Sequence, residues 1–131
     1  MSVESTREVM MKYWQSGHAD TSMMSPDVVF TVMGTGQEFR GPEAVQGMLN
    51  YFYHIAFDAD ADTYNTVIAD GQAVVEGWFT GKHIGEFAGI PATGKEVRVP
   101  ICVIYDVEND LVSRGRVYFE SDALRQQLGL G

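Results

Sequence analysis

The chain has 131 residues, 45% hydrophobic and 21% charged, which fits one globular domain and excludes a disordered segment. Nine Lys+Arg against 18 Asp+Glu leave a formal charge of −9, so phosphate backbones and anionic membrane surfaces are repelled. Nucleic acid and membrane are therefore not expected as partners, and the single cysteine, Cys102, excludes an internal disulfide.

The N-terminal stretch MSVESTREVMMKYWQ lacks an apolar run of signal-peptide length, and no window approaches a membrane span. A soluble, cytoplasmic protein is expected. Residues 3–17 set Val3, Arg7, Met10, Met11 and Trp14 at spacings of three and four, with Gly17 as a stop, which predicts an amphipathic helix. DVVFTVMG at 27–34 alternates Val28, Phe30 and Val32 with Val29, Thr31 and Met33, a strand apolar on both faces. A second helix opens at Gly41-Pro42-Glu43, where proline suits the first helical position and glutamate the positive end of the dipole. Its apolar stripe is Val45, Met48, Leu49 and Phe52.

The rest is strand-like. DTYNTVIAD and QAVVEGWFTGKH flank the hairpin signal Asp70-Gly71, and KEVRVPICVIYDV and LVSRGRVYFE flank Glu108-Asn109-Asp110. SDALRQQLGLG reads as a closing short helix, with Ser121 or Asp122 as cap and Gly129 as stop. Helices followed by a strand meander give an α+β fold: a curved antiparallel sheet of four to six strands wrapped around the N-terminal helices, forming a cone with a central pocket. Gly77, Gly81 and Gly115 inside strands permit that curvature. No repeat or linker divides residues 1–131.

Alternation in the last strand puts Arg114, Arg116, Tyr118 and Glu120 on one face, with Ser113, Gly115, Val117 and Phe119 on the other. Facing solvent, the first set is a charged outer surface. Facing inward, Glu120 is a base, Arg116 lowers its pKa and Tyr118 donates to an oxyanion. His83, between Gly81 and Gly85, is either a loop histidine bonded to backbone or a pocket donor. Neither His18 nor His54 stands at metal-ligand spacing from it, so no metal is expected. Cys102 lies in an apolar strand pattern, which suits a buried structural thiol. Tyr13, Trp14, Phe30, Phe52 and Trp78 are the aromatics expected to line the pocket. Ile101, Val103 and Tyr105 form an apolar strip that serves either a homodimer interface or the core.

The run W-F-T-G-K-H-I-G-E-F-A-G-I-P-A-T-G-K-E-V, followed by R-G-R-V-Y-F-E and Q-Q-L-G, resembles the SnoaL-like polyketide cyclase or ester cyclase group of the nuclear-transport-factor-2-like fold. The resemblance implies cofactor-free acid/base chemistry on an aromatic or hydrophobic small molecule, in which a carboxylate generates an enolate for intramolecular aldol closure. It also implies that Glu120 stands where the family has its aspartate, and that His83 matches the histidine of G-x-H-x-G. A ketosteroid-type isomerase, an epoxide hydrolase and a non-catalytic binding or scaffold module are the alternatives in the same cone.

Overall fold

The computed structural model describes residues 2–17 and 20–129, so His18 lies outside the described residues. Helix α1 spans Val3–Gln15, held at its start by a reciprocal Ser2–Ser5 capping box. It is followed by strand β1 (Met24–Val32), β2 (Gln37–Arg40), helix α2 (Pro42–Asn50) and a π-helical turn at Tyr51–Ile55. Strands β3 (Phe57–Ala69), β4 (Gln72–His83), β5 (Glu96–Glu108) and β6 (Leu111–Phe119) then lead into helix α3 (Ser121–Gln127).

The six strands form one sheet in the order β2-β1-β6-β5-β4-β3. All pairings are antiparallel except β1 with β6, which is parallel and joins the N-terminal strand to the last one. This mixed sheet corrects the expectation of a purely antiparallel one. Both expected hairpins are present. The β5–β6 turn has positive φ at Asn109 (52°) and Asp110 (61°), the pair of left-handed residues that a two-residue turn matching strand twist requires. At α3 the N-cap is Glu120, without a side-chain bond to the helix, in place of the expected Ser121 or Asp122.

The β3–β4 contact is unusually close. A Cβ on Gly77 would stand 2.3 Å from the Asp62 carbonyl oxygen, and one on Gly81 would stand 2.4 Å from that of Asp58. Only residues without a side chain let β3 come this near the inner side of β4, and this proximity coils the sheet.

The helices pack on the sheet's inner face. α1 buries Val9, Met10 and Tyr13; α2 buries Val45 and Met48. The Thr6 hydroxyl donates to the Ser2 carbonyl (2.7 Å) and accepts the Gly71 N–H (2.9 Å), tying α1 to the β3–β4 turn. A second apolar cluster, centred on Phe57, Phe79, Val99 and Leu124, closes the end of the cone under α3. No helix among the described residues is long and apolar enough to cross a membrane.

Candidate ligand-binding site

Alternate residues of the inner sheet face meet α2 and the π-turn around a small hollow of about 60 Å³. Its wall is almost wholly apolar: Phe30 from β1, Phe52 from the π-turn, Phe79 from β4, Ile101 and Val103 from β5, Val117 and Phe119 from β6. Two phenols interrupt it, Tyr53 and Tyr105. Both, with Ile101 and Val103, also line a cleft of about 460 Å³ beneath α1, whose other walls include Met11, Trp14, Ala61 and Thr63. A third hollow, of about 310 Å³, lies at the β3 edge against Trp14, Gln46, Asn50, Tyr53, His54 and Asp60. The cleft has the size of an ordinary small-molecule site, and the inner hollow shares Tyr53, Ile101, Val103 and Tyr105 with it.

Tyr53 lines all three spaces, and the backbone explains its position. The Ala56 N–H donates to the Tyr51 carbonyl (2.7 Å), an i to i+5 bond that widens the helix and rotates its last side chains relative to the 3.6-residue stripe. Tyr105 is buried with Tyr13, Trp14 and Phe30 edge-on around it, at centroid distances of 6.1, 5.9 and 6.0 Å. Burial raises the Tyr105 pKa well above the ordinary phenol value, while the polar edge of the nearby Trp14 indole works against the rise. Tyr53 is pushed up to about 12, first by burial and then by the Asp60 charge. Loss of solvation disfavours the phenolate still further, and both groups are hydrogen-bond donors at neutral pH, as an ordinary phenol is. Tyr13 is raised for the same reason, but it packs within the core and lines none of the three spaces.

Of the aromatics expected in the pocket, Phe30 and Phe52 line the inner hollow and Trp14 lines the two outer spaces. Trp78 is on the opposite face of β4, with the Arg98 guanidinium 4.0 Å over its ring. Neighbouring Phe79 takes the inner position because β4 alternates.

The expected catalytic set does not converge. Val117 and Phe119 of β6 face the hollow, so Arg116 and Tyr118 occupy the other face. Tyr118 is 44% exposed. Glu120 is also exposed, at the start of α3, and lines none of the three spaces. His83 is fully buried next to Phe57, with ring centroids 5.1 Å apart. Its Nδ1 accepts the Thr93 N–H (3.2 Å) and lies 2.9 Å from the Thr93 hydroxyl. His83 thereby pins the 84–95 loop to the end of β4, and it does not line the hollow. The strip Ile101, Val103 and Tyr105 also faces inward, which leaves it unavailable to a dimer. Cys102 is half-buried on the outer face, cross-strand from Glu76 and Tyr118, and not in the core.

Arg116 has a different partner from the expected Glu120. It holds the Asp106 carboxylate in a two-pronged pair at 2.8 and 3.1 Å. Its hydrogen bonds keep the Asp106 pKa below the usual carboxylate range, against partial burial that raises it; Gln72 adds a further bond. A depressed folded pKa gives stability that is present above the unfolded pKa, about 3.9, and lost as pH falls through the folded value. Arg116→Gln is therefore expected to lower stability at neutral pH by about 1 kcal/mol or less, the range of a partly exposed pair. In urea denaturation the gap between variant and parent should shrink steadily as pH falls below the unfolded value, about 3.9, and close as Asp106 takes up its proton in the folded parent.

The sequence matches the family model of the SnoaL-like polyketide cyclases over residues 5–128. Solved structures share the fold at low identity. A candidate SnoaL-like polyketide cyclase of Jannaschia sp. CCS1 superposes with a TM-score of 0.82 at 19% identity, covering 98% of this chain and 94% of that one. IdmH of Streptomyces antibioticus, a candidate polyketide cyclase, gives 0.74 at 21% identity over 97% and 98%. A ketosteroid isomerase-like protein of Catenulispora acidiphila gives 0.74 at 13% identity over 96% and 95%. No curated protein matches the sequence. With the family match spanning nearly all of the α+β cone, the chain belongs to the SnoaL-like polyketide cyclase family.

Proposed function

We propose that this protein binds a hydrophobic carbonyl compound in the throat and promotes its ring closure, without a cofactor, through hydrogen bonds from Tyr53 and Tyr105. One observation carries the reading: two phenols, Tyr53 and Tyr105, line an otherwise apolar hollow that shares wall residues with a cleft of ligand size. No carboxylate or imidazole lines that inner hollow, so the expected role of Glu120 as general base is replaced by electrophilic assistance.

Such assistance suits a β-dicarbonyl substrate, whose central carbon is acidic enough to ionise without a strong base nearby. The C–H bond breaks with its proton passing to water in the cleft, and its electron pair becomes an enolate whose oxygen accepts a phenol hydrogen bond. The enolate carbon then bonds to a second carbonyl carbon, and the resulting alkoxide takes a proton from water. Confinement by the aromatic walls holds the two carbons near bonding distance.

Deuterium exchange at the central methylene of benzoylacetone, followed by NMR, tests the first step. The protein should accelerate exchange over buffer, Tyr53→Phe and Tyr105→Phe should each remove most of that acceleration, and Glu120→Gln should leave it unchanged. Acceleration lost in Glu120→Gln and retained in both phenylalanine variants would overturn the reading. The absence of an acid or base from the inner hollow also favours a second reading, a non-catalytic carrier, which predicts binding of benzoylacetone without faster exchange.

A further inference from the structure

Both phenols border two spaces of very different size. Tyr53 and Tyr105 line the cleft of about 460 Å³ and also the inner hollow of about 60 Å³. A carbonyl oxygen that accepts from these phenols therefore has one substituent directed to each space. The cleft has room for an aromatic ring beside Met11 and Trp14. The hollow does not, since an apolar cavity that holds benzene measures roughly 150 Å³.

One contact limits the hollow on the β1 side. Strand order places β6 and then β1 beyond β5, away from the cleft walls on β3 and β4. Tyr105, Gly115 and Phe30 stand side by side on β5, β6 and β1, and the middle residue has no side chain. The Phe30 ring takes that place. A Cβ on Gly115 would stand 2.8 Å from its Cε1, Cε2 and Cζ atoms. The ring is 1% exposed, packs edge-on to Tyr105 at 6.0 Å, and lines the hollow but not the cleft.

Resting on the small-molecule reading of the throat, we propose that Phe30, seated on Gly115, is a specificity-determining residue that selects aryl ketones with a short alkyl end. The aryl ring occupies the cleft, the carbonyl meets the two phenols, and the alkyl end fills the hollow up to the Phe30 ring. A second aryl group in place of the alkyl end is excluded by size. Gly115 holds the limit where it is, because a methyl group there drives the Phe30 ring off its seat and into the hollow it lines.

Calorimetric titration of acetophenone, propiophenone and benzophenone reads this limit. Propiophenone should bind the parent about fourfold more tightly than acetophenone, as one more buried CH₂ predicts. Benzophenone should bind about tenfold more weakly than acetophenone, the scale of one overpacked group. Phe30→Ala lengthens the hollow, and there benzophenone should bind at least as tightly as acetophenone. Gly115→Ala shortens it, and propiophenone should fall to the affinity of acetophenone or below. Should Phe30→Ala fail to fold, Gly115→Ala carries the test alone. Benzophenone binding the parent as tightly as acetophenone overturns the proposal. So does an order of affinities that the folded variants leave unaltered. Failure of all three ketones to bind the parent would instead overturn the small-molecule reading of the throat.

Discussion

Replacing Phe79 with alanine is expected to lower the unfolding free energy by about 3–5 kcal/mol, measured as a fall in the urea midpoint at unchanged slope. Phe79 is 2% exposed, belongs to the apolar cluster under α3 and borders the inner hollow. Its ring is 5.2 Å from that of Tyr53, 5.3 Å from Phe57 and 5.5 Å from Phe119. Truncation removes these ring contacts, two of them edge-on, and leaves a void that opens into the existing hollow, so the walls have little to collapse onto. The adjacent Trp78 supplies the control. Its ring lies on the outer face against Arg98, and Trp78→Ala should cost about 1 kcal/mol, the scale of an exposed cation–π contact with modest burial. A reversed order of these two losses would put Trp78 inside and Phe79 outside, and the whole assignment of throat residues on β4 would fail with it.

Gly81→Ala carries the second large effect, a loss of about 2–4 kcal/mol with local opening of β3. The added methyl would stand 2.4 Å from the Asp58 carbonyl oxygen and 2.6 Å from the Ala59 Cα, which are backbone atoms that no rotamer change can move aside. Relief requires β3 to retreat from β4, breaking ladder bonds near Asp58 and Ala59. Hydrogen exchange should show faster exchange of β3 amides in the variant. Gly34→Ala, where a Cβ meets nothing within 4 Å, should stay within about 0.5 kcal/mol of the parent. Equal stability of the two variants would contradict the close approach that curves the sheet around the throat.

Local signals in the sequence were strong where they set local structure. Pro42 starts α2, Gly17 follows α1, and Asp70-Gly71 and Asn109-Asp110 turn the two hairpins. Two strand segments were harder to see. β2 is four residues long, and β3 begins in Phe57-Asp58-Ala59-Asp60, where aspartate and alanine have low strand propensity. Those aspartates suit an exposed sheet edge, which is where β3 lies. The parallel β1–β6 pairing joins residues over eighty positions apart, roughly, and no local pattern encodes such a contact.

The site was less legible for a specific reason. Alternation divides β6 into two sets without saying which faces inward, and hydrophobic sorting favoured Val117 and Phe119 over Arg116, Tyr118 and Glu120. The resemblance drew weight to the charged set. Tyr105 could have been found from its phase, since it alternates in step with Ile101 and Val103. Tyr53 could not, because the π-turn shifts it away from the helical stripe read from Val45 to Phe52.

NMR mapping of benzoylacetone on the isotope-labelled protein tests the central claim, that the throat is the ligand site. The account predicts shifts in the methyl signals of Ile101, Val103 and Val117 and in the rings of Tyr53 and Tyr105, with Trp78, Tyr118 and Glu120 unmoved. Shifts confined to that outer set, or none at saturating probe, would contradict it.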